Sequence, residues 1–321
     1  MAIHGNMQNK TVTILMATYN GGEHLRNQLL SLQQQKFKSW KLFIQDDGSN
    51  DNTIDIITEF ECLDARIHFV NNNISRQGPG KNFISLAKYS DSEYTIFCDQ
   101  DDIWFENKIS DMVEYAESVN LADNNNPSIV YADGYAFSDE TGDIDFSGIS
   151  HNHANDLSGF LFFNGGYQGC SIMFNQAMVK FLSEYKGAIY LHDDIASLAA
   201  HALGEVYFLP KKLMLYRQHA KAVTGMKSFN GKLIEKLIRK INSEVNYLLS
   251  KKHFIVKESF FETYGNRLDA KRAKIFRCFI KFGHANNKST QLKYLIRGRF
   301  SLNNSFLMLL IKFFLRRKFD A

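Results

Sequence analysis

The first half of the chain alternates short apolar runs with segments whose apolar residues recur at helical spacing. Apolar runs of strand length occupy residues 11–17, 40–45, 66–71 and 94–98. Segments of helix length lie between them, and the clearest places Leu25, Leu29, Leu30 and Leu32 along one face. Strands that alternate with helices predict a parallel sheet that is covered by helices on both faces.

The alternation continues, less regularly, through the next hundred residues or so. Further strands are predicted at residues 128–137, 169–174 and 205–209, and helices at residues 175–185 and 194–202. Beyond Gly225 the pattern becomes long, basic and helical. We therefore predict an α/β catalytic domain over residues 1–225 and a basic α-helical region over residues 226–321.

Polar clusters stand where three of the predicted strands end. Residues 17–20 (ATYN) close the first strand, residues 46–49 (DDGS) the second, and residues 99–102 (DQDD) the fourth. Open α/β sheets bind ligands at the carboxyl ends of their strands. We therefore expect these three loops to form one binding site.

The DQDD cluster places three carboxylates in four residues, a density that calls for a counter-charge. Mg²⁺ and Mn²⁺ take oxygen ligands and commonly bridge protein carboxylates to phosphates. Taken alone, DQDD is compatible with a solvated acidic turn, and DDGS with a helix N-cap. Their combination on successive strand ends favours a divalent metal ion and a phosphorylated ligand.

The net charge of +4 hides a strong asymmetry between the two predicted regions. From Met226 onward there are 22 Lys and Arg against 6 Asp and Glu, which leaves 16 basic and 28 acidic residues before it. Cations among aromatic and aliphatic residues suit an anionic membrane surface. A helical bundle or a homo-oligomer interface with a solvated basic face is the alternative, and no nucleic-acid recognition motif accompanies the charge.

The cysteines and the apolar segments indicate the cellular compartment in which we expect the protein. Four scattered cysteines without a CxxC pair favour reduced thiols in the cytoplasm. The N-terminus lacks the pattern of a secretion signal, and the longest apolar run, Phe306–Leu315, is too short to span a bilayer. We expect a cytoplasmic protein, peripheral on the inner face of the cytoplasmic membrane.

The succession ATYN, DDGS and DQDD resembles that of the family 2 glycosyltransferases, enzymes of the GT-A fold, and the resemblance extends from Val12 to Gly225. It implies a Rossmann-like, mostly parallel central sheet flanked by helices. It also implies a Mg²⁺- or Mn²⁺-dependent, inverting transfer of a sugar from a nucleotide diphosphate donor to an acceptor. The chain contains neither a P-loop nor a GxGxxG fingerprint, which argues against ATPases and dehydrogenases.

The resemblance implies roles for individual side chains. Those implied to bind the donor are Thr18, Tyr19, Asn20, Asp47, Lys81, Asp99 and Arg217. Those implied to hold the metal ion are Asp101, Asp99 and His219, with Asp101 favoured as the direct ligand. His219 and Arg217 belong to the segment YRQH, which resembles the family's element near the diphosphate. Arg76 and Asn82 are further candidates for the donor phosphates.

A later acidic motif supplies the catalytic base in this family, and the matching segment is LHDD at residues 191–194. The common form of the motif is Glu-Asp, from which this sequence departs. Taking His192-Asp193 as its equivalent favours Asp193 as the base and leaves Asp194 as a competitor. The alternative is a cap on the helix that follows.

Within the family, DQDDIW followed by HDD and YRQH looks most like bacterial rhamnosyltransferases of surface polysaccharide assembly, which use dTDP-rhamnose. A UDP-hexose or UDP-N-acetylhexosamine donor is the alternative, and a lipid-linked saccharide acceptor fits the basic C-terminal region. Two other classes remain open. An inactive membrane scaffold would lack metal-dependent donor binding, and a metal phosphohydrolase would cleave nucleotide sugars without acceleration by an acceptor.

Overall fold

The computed structural model describes residues 10–70, 76–218 and 246–320. The chain divides into two compact units. The first comprises the described residues of 1–151, 167–185 and 191–225, and the second those of 152–166, 186–190 and 226–321. The second unit thus includes two short segments from within the range that the sequence assigns to the catalytic domain.

A nine-stranded mixed sheet forms the centre of the first unit. Its strands are β1 (Val12–Thr18), β2 (Trp40–Asp46), β3 (Ile67–Phe69), β4 (Tyr94–Cys98), β5 (Ile103–Trp104), β6 (Ile129–Ser138), β7 (Ile144–Asp145), β8 (Ile172–Asn175) and β9 (Val206–Gln218). They lie in the order β3-β2-β1-β4-β8-β6-β9-β5, with β7 paired to β6.

The strands β1 to β4 form the parallel part of the sheet. β1 lies between β2 and β4, with Val12 opposite both Trp40 and Tyr94. Six of its seven residues are buried, and only Ala17 is partly exposed. A strand that is covered on both faces carries a continuous apolar run, which is why the sequence predicts this strand well.

The remaining strands make the sheet mixed. β8 runs antiparallel to β4 and β6, and β5 runs antiparallel to β9, whereas β6 and β9 are parallel. The sequence predicts β9 as residues 205–209, but the strand extends to Gln218. The added residues place the predicted YRQ segment at the end of a strand. The predicted α/β fold with a central sheet flanked by helices is confirmed, and the sheet that was expected to be mostly parallel is parallel from β1 to β4 and mixed beyond them.

Six helices cover the sheet among the described residues of the first unit. They are α1 (Leu25–Gln33), α2 (Thr53–Leu63), α3 (Pro79–Leu86), α4 (Lys108–Ser118), α5 (Gln176–Ser183) and α6 (His192–Leu203). Each buries one apolar face, as α1 does with Leu25, Leu29 and Leu32. Leu30, which the sequence pattern also assigned to this face, is 42% exposed.

The described part of the second unit is mainly helical, which confirms the helical C-terminal region. It contains a one-turn helix at Leu157–Phe160 and the longer helices α7 (Lys251–Tyr264), α8 (Ala270–His284), α9 (Lys288–Gly298) and α10 (Phe306–Leu315). Two short parallel strands accompany them, β10 (Tyr247–Leu249) and β11 (Arg317–Phe319). Within the described ranges, no helix is both long and apolar enough to cross a bilayer.

Candidate active site

The loops that follow β1, β2 and β4 are joined by side-chain hydrogen bonds. Gln100 is the central link, because its Oε1 accepts from the Tyr19 N–H at 3.0 Å and its Nε2 donates to the Tyr19 carbonyl at 3.1 Å. Ser49 Oγ accepts from the Asn20 N–H at 2.8 Å. ATYN, DDGS and DQDD therefore lie together at the carboxyl edge of the parallel strands.

The first loop makes a tight turn at Asn20 and Gly21. Asn20 has a φ of 46°, in the left-handed region that asparagine tolerates better than most residues. Its Oδ1 accepts from the Asn50 N–H at 2.9 Å. A Cβ atom on Gly21 would lie 2.2 Å from Gln100 Oε1, so a side chain here would displace the Gln100 amide from its present position.

The two aspartates of DDGS have different neighbours. The Asp46 carboxylate accepts from the N–H groups of Gly48 at 2.9 Å and Ser49 at 2.7 Å, and so shapes the turn. It also accepts from the Thr18 hydroxyl at 2.8 Å. Because Thr18 is only 2% exposed, its side chain orients Asp46. A direct contact between this hydroxyl and the donor stays a prediction.

Asp47 fixes the segment before α3. Its Oδ1 accepts from the Gln77 N–H and its Oδ2 from the Gly78 N–H, each at 2.8 Å. A carboxylate oxygen can accept a second hydrogen bond, so these contacts are compatible with binding of a base N–H. The side chain of Tyr19 is 53% exposed and presents an aromatic ring at the same edge.

The DQDD carboxylates form a partly buried cluster. Oxygen atoms of Asp99 and Asp102 and the sulfur of Cys170 lie within 4.8 Å of one another. Burial and the charge of Asp101 raise the pKa of Asp99 to about 7. Asp102 is fully buried, and burial together with the charges of Asp99 and Asp101 raises its pKa well above the usual range.

The cluster has a buried cation of its own. Lys108, at the start of α4, is fully buried, and its Nζ donates to the Cys170 carbonyl at 2.6 Å. The same atom lies 3.8 Å from the centre of the Trp104 ring. Its positive charge favours ionisation of Asp99 and Asp102, while burial lowers its own pKa. The negative charge of the cluster is therefore partly balanced from within the protein.

Arg217 holds the DQDD turn in place. Its N–H donates to Asp102 Oδ1 at 3.1 Å, and its Nε donates to the Asp101 carbonyl at 2.7 Å. Its guanidinium also pairs with Asp139. The Arg217 side chain is 6% exposed and contacts the DQDD turn and Asp139. A contact between this side chain and the donor phosphate stays a prediction. His219, which the sequence placed among the metal ligands, lies outside the described residues.

The HDD motif lies close to the carboxylate cluster. Asp193 and Asp194 are in the first turn of α6, where the helix dipole stabilises negative charge. Burial, together with the charges of Asp194 and Asp99, raises the pKa of Asp193 well above its usual range. Asp193 is partly exposed, whereas Asp194 is only 5% exposed. Of the two candidates, Asp193 is the more accessible to an acceptor.

His192 packs as an aromatic ring of the core. It stacks on Phe83 with ring centres 3.8 Å apart and meets Phe97 edge-on at 4.5 Å. Neither ring nitrogen has a hydrogen-bond partner among the described residues. Burial lowers the pKa of His192 to about 3. His192, which the sequence analysis takes as the counterpart of the family's glutamate, is therefore neutral at physiological pH.

The remaining phosphate candidates lie along α3 and just before it. Lys81 is exposed in the first turn of α3, and Arg76 is exposed with a φ of 61°. Asn82 is 1% exposed, and its Nδ2 donates to the Gln45 carbonyl at 3.2 Å. Asn82 thus ties α3 to β2, while Lys81 and Arg76 keep solvent-accessible cationic side chains.

Three residues of the site escaped the sequence analysis: Lys108, Cys170 and Asp139. Asp139 directly follows β6, so the rule that found the other clusters at strand ends could have found it. Lys108 lies in a region of ordinary helical pattern, and Cys170 lies just before β8. No polar cluster marks either of them, and their importance comes from burial beside Asp99 and Asp102.

The donor set of the cluster suits a hard divalent cation. Asp102 Oδ2 is buried and has no hydrogen-bond partner among the described residues, and Asp99 is close by. Burial and the neighbouring aspartates raise the pKa of the Cys170 thiol, which disfavours the thiolate form needed for metal binding. The structure thus brings Asp102 into a group that the sequence assigned to Asp99 and Asp101.

The sequence matches known proteins over much of its length. The sequence profile of glycosyl transferase family 2 matches residues 13–179. A dTDP-rhamnosyl transferase of Shigella flexneri is 31% identical over 225 residues, 65% of this chain and 73% of the relative. A UDP-Glc:alpha-D-GlcNAc-diphosphoundecaprenol beta-1,3-glucosyltransferase of Escherichia coli is 33% identical over 103 residues, 32% of this chain and 40% of that protein.

The fold matches solved structures as well. Staphylococcus aureus TarS, residues 1–349, in complex with UDP-GlcNAc superimposes with a TM-score of 0.51 at 14% identity, and the match covers 84% of this chain and 81% of that one. A second TarS structure gives a TM-score of 0.53 over 87% of this chain and 50% of that one. At this level of identity the likeness concerns the fold.

Proposed function

Because the chain belongs to glycosyl transferase family 2 and is therefore a glycosyltransferase, we propose that it transfers L-rhamnose from dTDP-rhamnose to a lipid-linked saccharide. The reaction would belong to the synthesis of a bacterial O-antigen, capsule or cell-wall polysaccharide. The observation that carries the proposal is the carboxylate cluster of Asp99 and Asp102, which lies beside Asp193 at the carboxyl edge of the sheet.

The choice of donor rests on likeness to relatives. The Shigella flexneri protein, named for dTDP-rhamnose, matches over far more of this chain than the Escherichia coli glucosyltransferase does. A UDP-linked hexose or N-acetylhexosamine is the competing donor, since that glucosyltransferase uses UDP-Glc and TarS binds UDP-GlcNAc. The lipid-linked acceptor is proposed from the undecaprenol diphosphate in the name of the glucosyltransferase.

In the proposed complex, the nucleoside lies against Tyr19 and Asp47, and the diphosphate lies near Lys81. Asp99, Asp101 and Asp102 would hold Mg²⁺ or Mn²⁺, which when bound neutralises charge on the departing nucleoside diphosphate. Arg217 keeps the DQDD turn in position through its bonds to Asp101 and Asp102.

The proton transfer is assigned to the HDD motif. Asp193 removes the proton of the acceptor hydroxyl while the oxygen attacks the anomeric carbon from the face opposite the leaving group, so a single displacement inverts that centre. A raised pKa suits this role, because a base is most effective when its pKa lies near the working pH. Asp194 is the alternative base.

The experiment that tests the proposal is calorimetric titration of the full chain with dTDP, UDP and GDP, each with and without Mn²⁺. We expect dTDP to bind most tightly and only with Mn²⁺, since the carboxylates repel an unshielded diphosphate. Asp101→Ala should weaken the Mn²⁺-dependent binding at least about tenfold, the loss typical of one charged contact.

The matched control is Asp123→Ala, which removes an aspartate of the first unit outside the carboxylate cluster and should leave binding unchanged. Tighter binding of UDP would reassign the donor to the UDP-sugar alternatives. If none of the three nucleotides shows Mn²⁺-dependent binding, the glycosyl-transfer mechanism is wrong for this chain and the inactive scaffold takes its place. Donor hydrolysis that no acceptor accelerates would instead identify a phosphohydrolase.

A further inference from the structure

The helix α10 exposes its apolar side chains. The exposed set is Phe306, Leu307, Met308, Ile311, Phe314 and Leu315, from 40% exposed at Phe306 to 76% at Leu315. Only Leu309 and Phe313 are buried. A surface helix normally turns polar residues outward. The outer face of α10 is instead apolar.

Side chains four residues apart lie on one face of a helix, which sorts α10 into three stripes. Leu309 and Phe313 form the buried stripe. Leu307 and Ile311 belong to the exposed apolar stripe, and Phe314 and Leu315 continue it. Met308, Lys312 and Arg316 form a third stripe, in which two cations border the apolar face on one side.

The chain around α10 is basic. Between Ala270 and Phe319 there are 13 Lys and Arg and no Asp or Glu. Lys288 anchors the end of the helix, because its Nζ donates to the Phe313 carbonyl at 2.6 Å and lies 4.2 Å from the Phe313 ring centre. An exposed apolar face in a segment that is rich in Lys and Arg matches the headgroup region of an anionic bilayer.

A cavity of about 220 Å³ lies in the second unit beside the cationic stripe. Lys312 and Arg316 both line it, together with the amides of Asn152 and Asn303 and the ring of Phe162. Two cations and two amides supply hydrogen-bond donors for phosphate oxygens. The cavity is therefore suited to one phosphodiester headgroup at the border of the apolar face.

We propose that α10 lies in the plane of an anionic phospholipid membrane, with its apolar face among the acyl chains, and that the adjacent cavity binds a phospholipid headgroup between Lys312 and Arg316. The inference extends the proposed function, since it specifies the surface that brings the enzyme to a lipid-linked acceptor. Phospholipid is preferred to a second copy of the chain as the occupant, because two identical cationic faces would repel each other.

The test is sedimentation of the full chain with vesicles of phosphatidylcholine alone or mixed with phosphatidylglycerol. We expect binding to the mixed vesicles and at least tenfold weaker binding to phosphatidylcholine alone. The double variant Leu307→Ser with Phe314→Ser should weaken binding to mixed vesicles by about tenfold or more, since two large apolar contacts are lost. The matched control is Leu63→Ser with Phe146→Ser, two equally large side chains that are each 72% exposed in the first unit.

The cavity is tested separately with Lys312→Gln and Arg316→Gln together. Removing two cations near an anionic surface weakens binding by about fivefold each. The control is Lys293→Gln with Arg297→Gln on α9, which removes the same charge at the same spacing from exposed positions. If the cavity pair loses clearly more vesicle affinity than the control pair, the result supports headgroup binding in the cavity. Equal losses of vesicle affinity would show that the cations contribute only diffuse attraction, and would overturn the cavity assignment.

Two further outcomes would overturn the membrane proposal. One is equal vesicle binding by the wild type and the Leu307/Phe314 variant. The other is a wild type that does not bind vesicles and forms an oligomer, together with a Leu307/Phe314 variant whose mass in analytical ultracentrifugation is lower. That result would identify the face as a contact between copies of the chain. Nucleotide titration of the same samples distinguishes failure of the membrane proposal from failure of the proposed function. If vesicle binding fails but Mn²⁺-dependent nucleotide binding is intact, only the membrane proposal is wrong.

Discussion

Asp193 and Asp194 are neighbours with different exposure. Both lie in the first turn of α6, but Asp194 is 5% exposed and Asp193 is partly open to solvent. Asp193 also lies close to the proposed metal site, because a Cβ atom on Gly169, the neighbour of Cys170, would lie 3.5 Å from the Asp193 Cβ. A base must reach the acceptor hydroxyl, so exposure and position both favour Asp193.

We therefore predict that Asp193→Asn lowers the turnover of glycosyl transfer by roughly 10²–10⁴-fold, the usual contribution of a general base. The variant keeps the shape of the side chain, so Mn²⁺-dependent nucleotide binding should persist. The matched comparison is Asp194→Asn, for which we expect a much smaller loss. The opposite ranking in initial-rate assays would make Asp194 the base.

At this scale the sequence predicted where the side chains of the candidate site lie better than it predicted their individual contacts. The residues of ATYN, DDGS, DQDD and HDD do lie at one edge of the sheet, because each of the first three follows a buried parallel strand. What sequence could not give was burial. It did not show that the Asp46 carboxylate accepts hydrogen bonds from the N–H groups of its own turn, or that His192 is enclosed by Phe83 and Phe97.

Single elements of the fold depend on contacts between their loops. The loop after β4 reaches the loop after β1 through the two hydrogen bonds from Gln100 to the Tyr19 backbone. Because Gly21 lacks a side chain, the amide can lie directly against it. The position of Tyr19 therefore depends on a residue from a different strand end.

We predict that Gln100→Leu weakens Mn²⁺-dependent nucleotide binding about tenfold and lowers the free energy of unfolding by ~1–2 kcal/mol, since two hydrogen bonds are lost at similar side-chain volume. Calorimetry and urea unfolding measure the two effects. Gln33→Leu on α1 is the control, because Gln33 donates to Asp64 away from these loops, and its nucleotide affinity should not change. An unaltered affinity in Gln100→Leu would show that the loops hold Tyr19 without this link.

Among the elements, the sequence predicted the parallel strands β1 to β4 well and predicted only the beginning of β9, which lies inside the sheet between β6 and β5. β1 and β4 carry unbroken apolar runs because both faces are covered, whereas β9 continues past Leu209 through Pro210, Lys211 and Lys212, which interrupt any apolar pattern. The irregular pairing near Asp133 accommodates that passage, with Lys212 Nζ 3.8 Å from Asp133 Oδ2. The predicted strand therefore stopped at Leu209, although Leu213 and Met214 beyond the interruption are buried again.

The two units of the whole molecule carry opposite charge. Residues before Met226 have 12 more acidic than basic side chains, and those from Met226 onward have 16 more basic than acidic. The two proposed ligands, a metal-bound nucleotide and an anionic bilayer, are thus assigned to regions of opposite sign. Salt screens exposed charges strongly and partly buried ones less.

We predict that raising NaCl from about 50 mM to about 500 mM weakens binding to phosphatidylglycerol-containing vesicles at least tenfold, because the Debye length becomes shorter than the span of the basic surface. Nucleotide binding in the presence of saturating Mn²⁺ should fall much less, since the site is partly buried. Vesicle sedimentation and calorimetry on one preparation make the comparison. A vesicle affinity that does not respond to salt would leave the apolar face of α10 as the sole source of attachment.

The raised pKa values in the DQDD cluster have a consequence for how the ion enters. Burial and the neighbouring aspartates raise the pKa of Asp99 to about 7 and that of Asp102 well above its usual range, and the charge of Lys108 balances part of the negative charge. In the proposed complex, binding of the ion would release protons from these carboxylates to the buffer, so we expect the affinity for the ion to rise with pH.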